Sequence, residues 1–177
     1  YAGAVSVGLV VAFIEEIFFR GFILQSLQKE MKTLWALIVT SFFYAILHYF
    51  KARPHIYLDH FDWSSGFSAA TRFFAPFHDP STMIPGVIGL TFVGIVLGLA
   101  YLRTGSLYLS IGLHAGWVFL IKFHGTFVER SQTVGRIWFG DEKMVTGMAA
   151  WVMLLCVGAI VWIWGKKLAS APEKPAA

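Results

Sequence analysis

Apolar residues in this 177-residue chain gather into five long runs. A bilayer core about 30 Å thick asks for roughly 20 apolar residues at about 1.5 Å each. Residues 2–28, 33–50, 83–102, 106–123 and 145–165 meet that length or approach it, the second and fourth being shortest. The pattern predicts an all-α fold, a polytopic membrane helix bundle with five transmembrane helices. Residues 1–168 then form one core. Two segments break the pattern. Residues 51–82 mix Tyr57, Phe61, Trp63, Phe67, Phe73, Phe74 and Phe77 with charges, prolines and Ser64-Ser65-Gly66, the composition of an interfacial loop or lid. Residues 169–177, rich in Ala, Pro and Lys, read as a disordered tail. The chain starts at Tyr1 with no basic segment before its first run, so that run reads as a span and not as a signal peptide. With no internal repeat visible, further helices are expected upstream.

Composition narrows the class further. The chain is 57% apolar and 14% charged, with 17 Phe, 17 Gly and seven Trp and a mean hydropathy of +0.67. Soluble globular, disordered and fibrous classes are excluded. Small residues let membrane helices approach closely, and Gly94 and Gly98, with Gly112 and Gly116, predict the fourth run seated tightly on the third. The single cysteine, Cys156, lies in an apolar run and is expected to pack. A net charge of +4 could suggest nucleic acid, but the cations are scattered at the ends of apolar runs, so nucleic acid is rejected as a partner. If the first and third runs share a direction, one membrane face collects Lys29, Lys32, Arg103, Lys166, Lys167 and Lys174 against Glu30 and Glu173. The opposite face is neutral. The positive-inside rule places the first face, and the C-terminus, in the cytoplasm.

Three kinds of polar residue then stand where lipid should be. Glu15, Glu16 and Arg20 lie deep in the first run, and a charge near the bilayer centre costs at least about 2.5 kcal/mol. Glu16 and Arg20 are four apart, the favourable order for pairing along a helix, which leaves Glu15 about 100° away and free to face a cavity. His48 and His114 sit in the second and fourth runs. His55, His60 and His78 fall in the loop, and His124 at the end of the fourth run. Counted from the cytoplasmic ends, Glu15 is about 21 Å deep, His48 about 22 Å and His114 about 15 Å. Three helices thus offer a carboxylate and two imidazoles at similar depth, a candidate polar site.

The run Glu15-Glu16-Ile17-Phe18-Phe19-Arg20-Gly21, then His48, then Ser110-Ile111-Gly112-Leu113-His114-Ala115-Gly116-Trp117, resembles the CPBP family. This is the CAAX-protease and bacteriocin-processing group, or ABI family, of intramembrane endopeptidases. The resemblance spans roughly residues 9–165 and implies a helical bundle with more than five helices, whose last five are present here. It implies a catalytic glutamate at Glu15, a supporting pair at Glu16 and Arg20, a water-holding histidine at His48 and an oxyanion-site histidine at His114. It also implies peptide or lipidated CaaX-type protein substrates in the plane of a bilayer, such as a bacterial inner membrane or another cytoplasm-facing membrane. Two positions depart from the family pattern: Tyr44 stands for a Phe, and Val118 for the Asn or Asp that completes the oxyanion site. Losing one such donor commonly lowers rate by about 10²–10³.

Peptide hydrolysis by such a set needs no cofactor: Glu15 activates water, His48 shares it and delivers a proton to the leaving amine, and His114 donates to the oxyanion. Tyr44, Trp117 and Val118 are further site-lining candidates. Two alternatives compete. Glu15, His48 and His114 would also make a zinc set of two histidines and a glutamate with an open fourth position, although no HExxH motif is present. Asp59-His60-Phe61-Asp62 is read as a solvated patch. The other alternative is a non-catalytic scaffold or immunity-like binder, for which Val118 is the best argument.

Overall fold

The computed structural model describes residues 2–49, 63, 66–67, 80–127 and 145–169. Most of the expected 51–82 lid, the residues of the tail beyond 169, and His55, His60 and His78 lie outside them. The elements among the described residues are helical. The first run forms α1 (Ala2–Glu16), a π-helix (Ile17–Leu24) and α2 (Gln25–Glu30) as one rod, since Glu16, Leu24 and Gln25 all keep right-handed helical dihedrals. The rod ends where Met31 turns extended, at φ −145° and ψ 166°. Then follow α3 (Thr33–Leu47), α4 (Pro80–Thr104), α5 (Leu107–Phe127) and α6 (Met148–Ala169). The turn from α4 to α5 is closed by Gly105 at φ +66°, whose N–H donates to Tyr101 O at 2.8 Å, the left-handed cap for which glycine is suited.

Among the described residues, two helices, Met83–Thr104 and Met148–Gly165, are long and apolar enough on their own to cross a bilayer, while Thr33–Leu47 and Leu107–Ile121 are shorter apolar helices. The rod of the first run is divided by its π segment. π-Helical turns are rare and often mark functional positions, and this one begins directly after Glu16 and carries Arg20.

Helix α4 is central, packed against α3, α5 and α6, while α1 lies along α5. Glycines set these contacts, but not as the small-residue pairs suggested. Gly94 and Gly98 face α3, not α5: a Cβ on Gly94 would stand 2.8 Å from Ser41 Cβ, and one on Gly98 2.3 Å from Leu37 Cδ1. Gly112 and Gly116 have open space around them. The seam between α4 and α5 therefore does not rest on paired glycines, because pair spacing marks a close face without saying which neighbour fills it. Cys156 is likewise exposed instead of packed; an apolar helix in lipid presents such residues outward as readily as inward.

Polarity runs opposite to that of a water-soluble fold. Phe13, Ile14, Phe18, Phe22, Trp35, Phe42 and Phe43 are exposed, whereas Glu16, Arg20, Thr40, Ser41, Ser110 and His114 are buried. An apolar outside around a polar inside is the arrangement a bilayer requires. The polar interior sits where the rod, α3, α4 and α5 meet.

Candidate active site

The two adjacent glutamates end α1 and have different surroundings. Glu16 is fully buried. Its Oε1 accepts from Arg20 Nη1 at 2.8 Å and lies 2.9 Å from His114 Nδ1. Glu15 is 26% exposed, and its Oε2 stands 3.7 Å from His48 Nε2 and 3.8 Å from His114 Nε2. Those two separations exceed hydrogen-bond length, and Glu15 Oε2 has no hydrogen-bond partner among the described residues. The 100° step between neighbours on a helix separates the roles, one carboxylate clamped and the next presented.

Arg20, almost fully buried, reaches across to α4, where Nη2 donates to Gly94 O at 3.1 Å. Its guanidinium lies 5.0 Å from the Tyr44 ring centroid and 5.8 Å from that of Phe19. Both contacts are within cation–π range. Tyr44 is the hub of the aromatic packing: its ring is 5.0 Å from Phe19, 4.3 Å from His48 and 6.1 Å from His114, edge-on in the first and last cases.

Hydrogen bonds assign the tautomers. His48, inside the expected 33–50 run but the cap one residue beyond the observed α3, has Nδ1 2.9 Å from Tyr44 O. A carbonyl oxygen only accepts, so Nδ1 carries the proton and the neutral ring offers a lone pair at Nε2. His114 makes the same commitment to the Glu16 carboxylate. Both imidazoles therefore turn a proton-accepting Nε2 towards Glu15, and His114 donates from Nε2 only as an imidazolium.

The sequence-derived candidates Glu15, Glu16, Arg20, His48 and His114 are thus brought together, with Tyr44 beneath them. Trp117, one turn beyond, packs on the same core, and its buried Nε1 has no partner among the described residues. Val118 lies in the seam between α1 and α5, its Cγ1 3.4 Å from the place a Cβ on Gly8 would take, two turns before Glu15. Among the described residues no group of three or more His, Cys, Asp or Glu is arranged to hold a metal ion. Sequence reasoning missed the Glu16–His114 bond and the Gly94 carbonyl; the only signal for the second was Gly94 itself, treated as packing.

A family profile described as Rce1-like, type II CAAX prenyl endopeptidase, matches residues 1–120, which hold every member of this cluster and stop short of α6. No curated protein and no solved structure matches the chain.

Proposed function

The chain belongs to the Rce1-like type II CAAX prenyl endopeptidase family, and from that premise we propose that Glu15, His48 and His114 hydrolyse a peptide bond near the C-terminus of CAAX-type proteins held in the bilayer. Membership makes it a peptide hydrolase of a polytopic, integral membrane family. The reading of the site goes further. A water bonded to Glu15 lies within reach of the His48 Nε2 lone pair, so the one proton released as its oxygen attacks the carbonyl can pass through Glu15 to His48. His48, anchored through Nδ1, returns the proton to the leaving amine. His114, once protonated, donates from Nε2 to the oxyanion, and the Glu16 carboxylate beside its Nδ1 stabilises that cation. Arg20 pairs with Glu16 and holds it in place.

The observation that carries this reading is Glu15 Oε2, buried without a hydrogen-bond partner and faced by two imidazoles whose other nitrogens are committed. Glu15→Gln keeps the shape and removes the base. With a quenched fluorescent farnesylated CAAX peptide in proteoliposomes, we expect kcat to fall by about 10²–10⁴ with unchanged thermal unfolding. Full hydrolysis by Glu15→Gln removes Glu15 from the role of base, whereas no hydrolysis by the wild type moves the assignment to a binder. Loss of wild-type activity on chelation, restored stoichiometrically by zinc, replaces the water-only mechanism with the zinc one.

For orientation, the α2–α3 and α4–α5 turns and the end of α6 share one end of the bundle, since α4 runs antiparallel to α3 and parallel to α6. Lys29, Lys32, Arg103, Lys166 and Lys167 belong to that end, and the positive-inside rule puts it in the cytoplasm.

A further inference from the structure

On the side of α4 away from the catalytic cluster, the seam between α4 and α6 holds an apolar groove of about 290 Å³. Phe92, Val96 and Leu99 form one wall and Leu155, Gly158 and Trp162 the other. Arg103, one turn past Leu99, stacks on Trp162 of the groove wall. Its guanidinium lies 3.3 Å from the Trp162 ring centroid, and Nε and Nη2 are buried with no hydrogen-bond partner among the described residues. The fold makes room for this arrangement: a Cβ on Gly165 would stand 2.4 Å from Arg103 Cβ, so only a residue without a side chain lets the arginine cross to α6.

We propose that this groove and Arg103 bind one anionic phospholipid, with an acyl chain along the α4–α6 seam and the phosphate on the guanidinium. Charge decides the occupant. Two donor nitrogens without an acceptor are an expensive arrangement, and phosphate oxygens suit the guanidinium fork. Arg103 stands at the last turn of α4, where headgroups begin, and Lys166 and Lys167 follow Gly165 in the chain. Basic pockets between membrane helices are places where anionic headgroups lodge. Trp162 is 52% exposed, so a rotation of its indole admits an oxygen to the closed donors. A simpler alternative is an arginine that reaches the interface beside a belt tryptophan and selects no lipid.

Native mass spectrometry of the protein released from nanodiscs of equal phosphatidylglycerol and phosphatidylcholine, matched in acyl chains, separates the two. The wild type is expected to retain phosphatidylglycerol about tenfold over phosphatidylcholine. Arg103→Gln should bring that ratio near one while hydrolysing the CAAX peptide at the wild-type rate. Arg103→Lys should recover only part of the ratio, because charge returns without the fork. Gly158→Leu, which fills the groove, should reduce retention of either lipid, and Trp162→Leu offers a second route should Arg103→Gln fail to fold. Glycerol 1-phosphate, a headgroup without chains, should not compete. Equal retention of the two lipids by the wild type, or a ratio in Arg103→Lys equal to the wild type's, overturns the proposal; the second result leaves only diffuse surface charge.

Discussion

Helix α4 works on two sides that are built differently. Towards α3 and the rod it supplies a backbone carbonyl, Gly94 O, to a buried arginine, and close contacts at Gly94 and Gly98. Towards α6 it offers Phe92, Ile95, Val96 and Leu99 to Leu154, Leu155, Gly158 and Trp162, an apolar seam, with Phe92 edge-on to Trp151. In lipid no hydrophobic force drives helices together, so both seams depend on close packing, and the first adds a directional bond from a buried arginine to the α4 backbone. The first seam should therefore fail steeply when one atom is removed, and the second should fail in proportion to misfit. The family match covers the helices that meet at the first seam and ends before α6.

The largest expected effect is at Glu16. Glu16→Ala strips the partner from both Arg20 and His114, and an uncompensated buried charge typically costs about 3–5 kcal/mol. Denaturation in detergent should show that loss, with hydrolysis abolished because His114 is no longer oriented. A Glu16→Ala protein that keeps wild-type stability would mean the ion pair is architecture without weight.

Adding a methyl compares the two seams directly. Gly94→Ala drives a Cβ into Ser41, touching both Cβ and Cα, so the backbones must separate and Gly94 O must draw away from Arg20. A loss of about 1–3 kcal/mol is expected, together with a fall in kcat. Gly158→Ala meets only Val96 Cγ2, at 3.4 Å. Its melting temperature should stay within a few degrees of the wild type's, and its kcat should not change. Equal effects on activity from both substitutions would erase the distinction between the seams.

These differences were only partly visible in the sequence. Five apolar runs announced the helices, and four-residue spacing announced the Glu16–Arg20 pair, because both depend on neighbours along the chain. Similar depth of Glu15, His48 and His114 pointed to their meeting, since a membrane converts sequence position into height. Direction around each helix was less legible: Gly94 and Gly98 turn to α3, and Cys156 turns outward, according to which helix happens to lie alongside. The π segment Ile17–Leu24 contains no proline and no visible insertion, and its dihedrals at Glu16 and Gln25 are those of an ordinary helix. Nothing local in that run distinguishes it. The Glu16–His114 bond joins residues 98 apart and follows from the docking of α1 on α5.

The smallest expected effect concerns Val118, where the family pattern is broken. The resemblance suggests that an amide there would complete the oxyanion site, so that Val118→Asn should accelerate hydrolysis. The geometry argues for a weaker result: Val118 Cγ1 is seated against Gly8, two turns along α1 from Glu15, and an asparagine placed there turns its amide towards the α1–α5 seam before it reaches a carbonyl near Glu15. We expect kcat/KM to stay within about threefold of the wild type, far below the 10²–10³ of an oxyanion donor. Trp117 offers the sharper comparison, since its buried Nε1–H has no partner among the described residues. Trp117→Phe removes that donor and keeps most of the ring. If the indole bonds the substrate, kcat should fall about tenfold or more with KM unchanged, whereas a purely packing tryptophan would alter unfolding and leave kcat alone. A tenfold rise in Val118→Asn would instead show that the position one turn after His114 does reach the reacting carbonyl, and the oxyanion site would then be assigned to α5 alone.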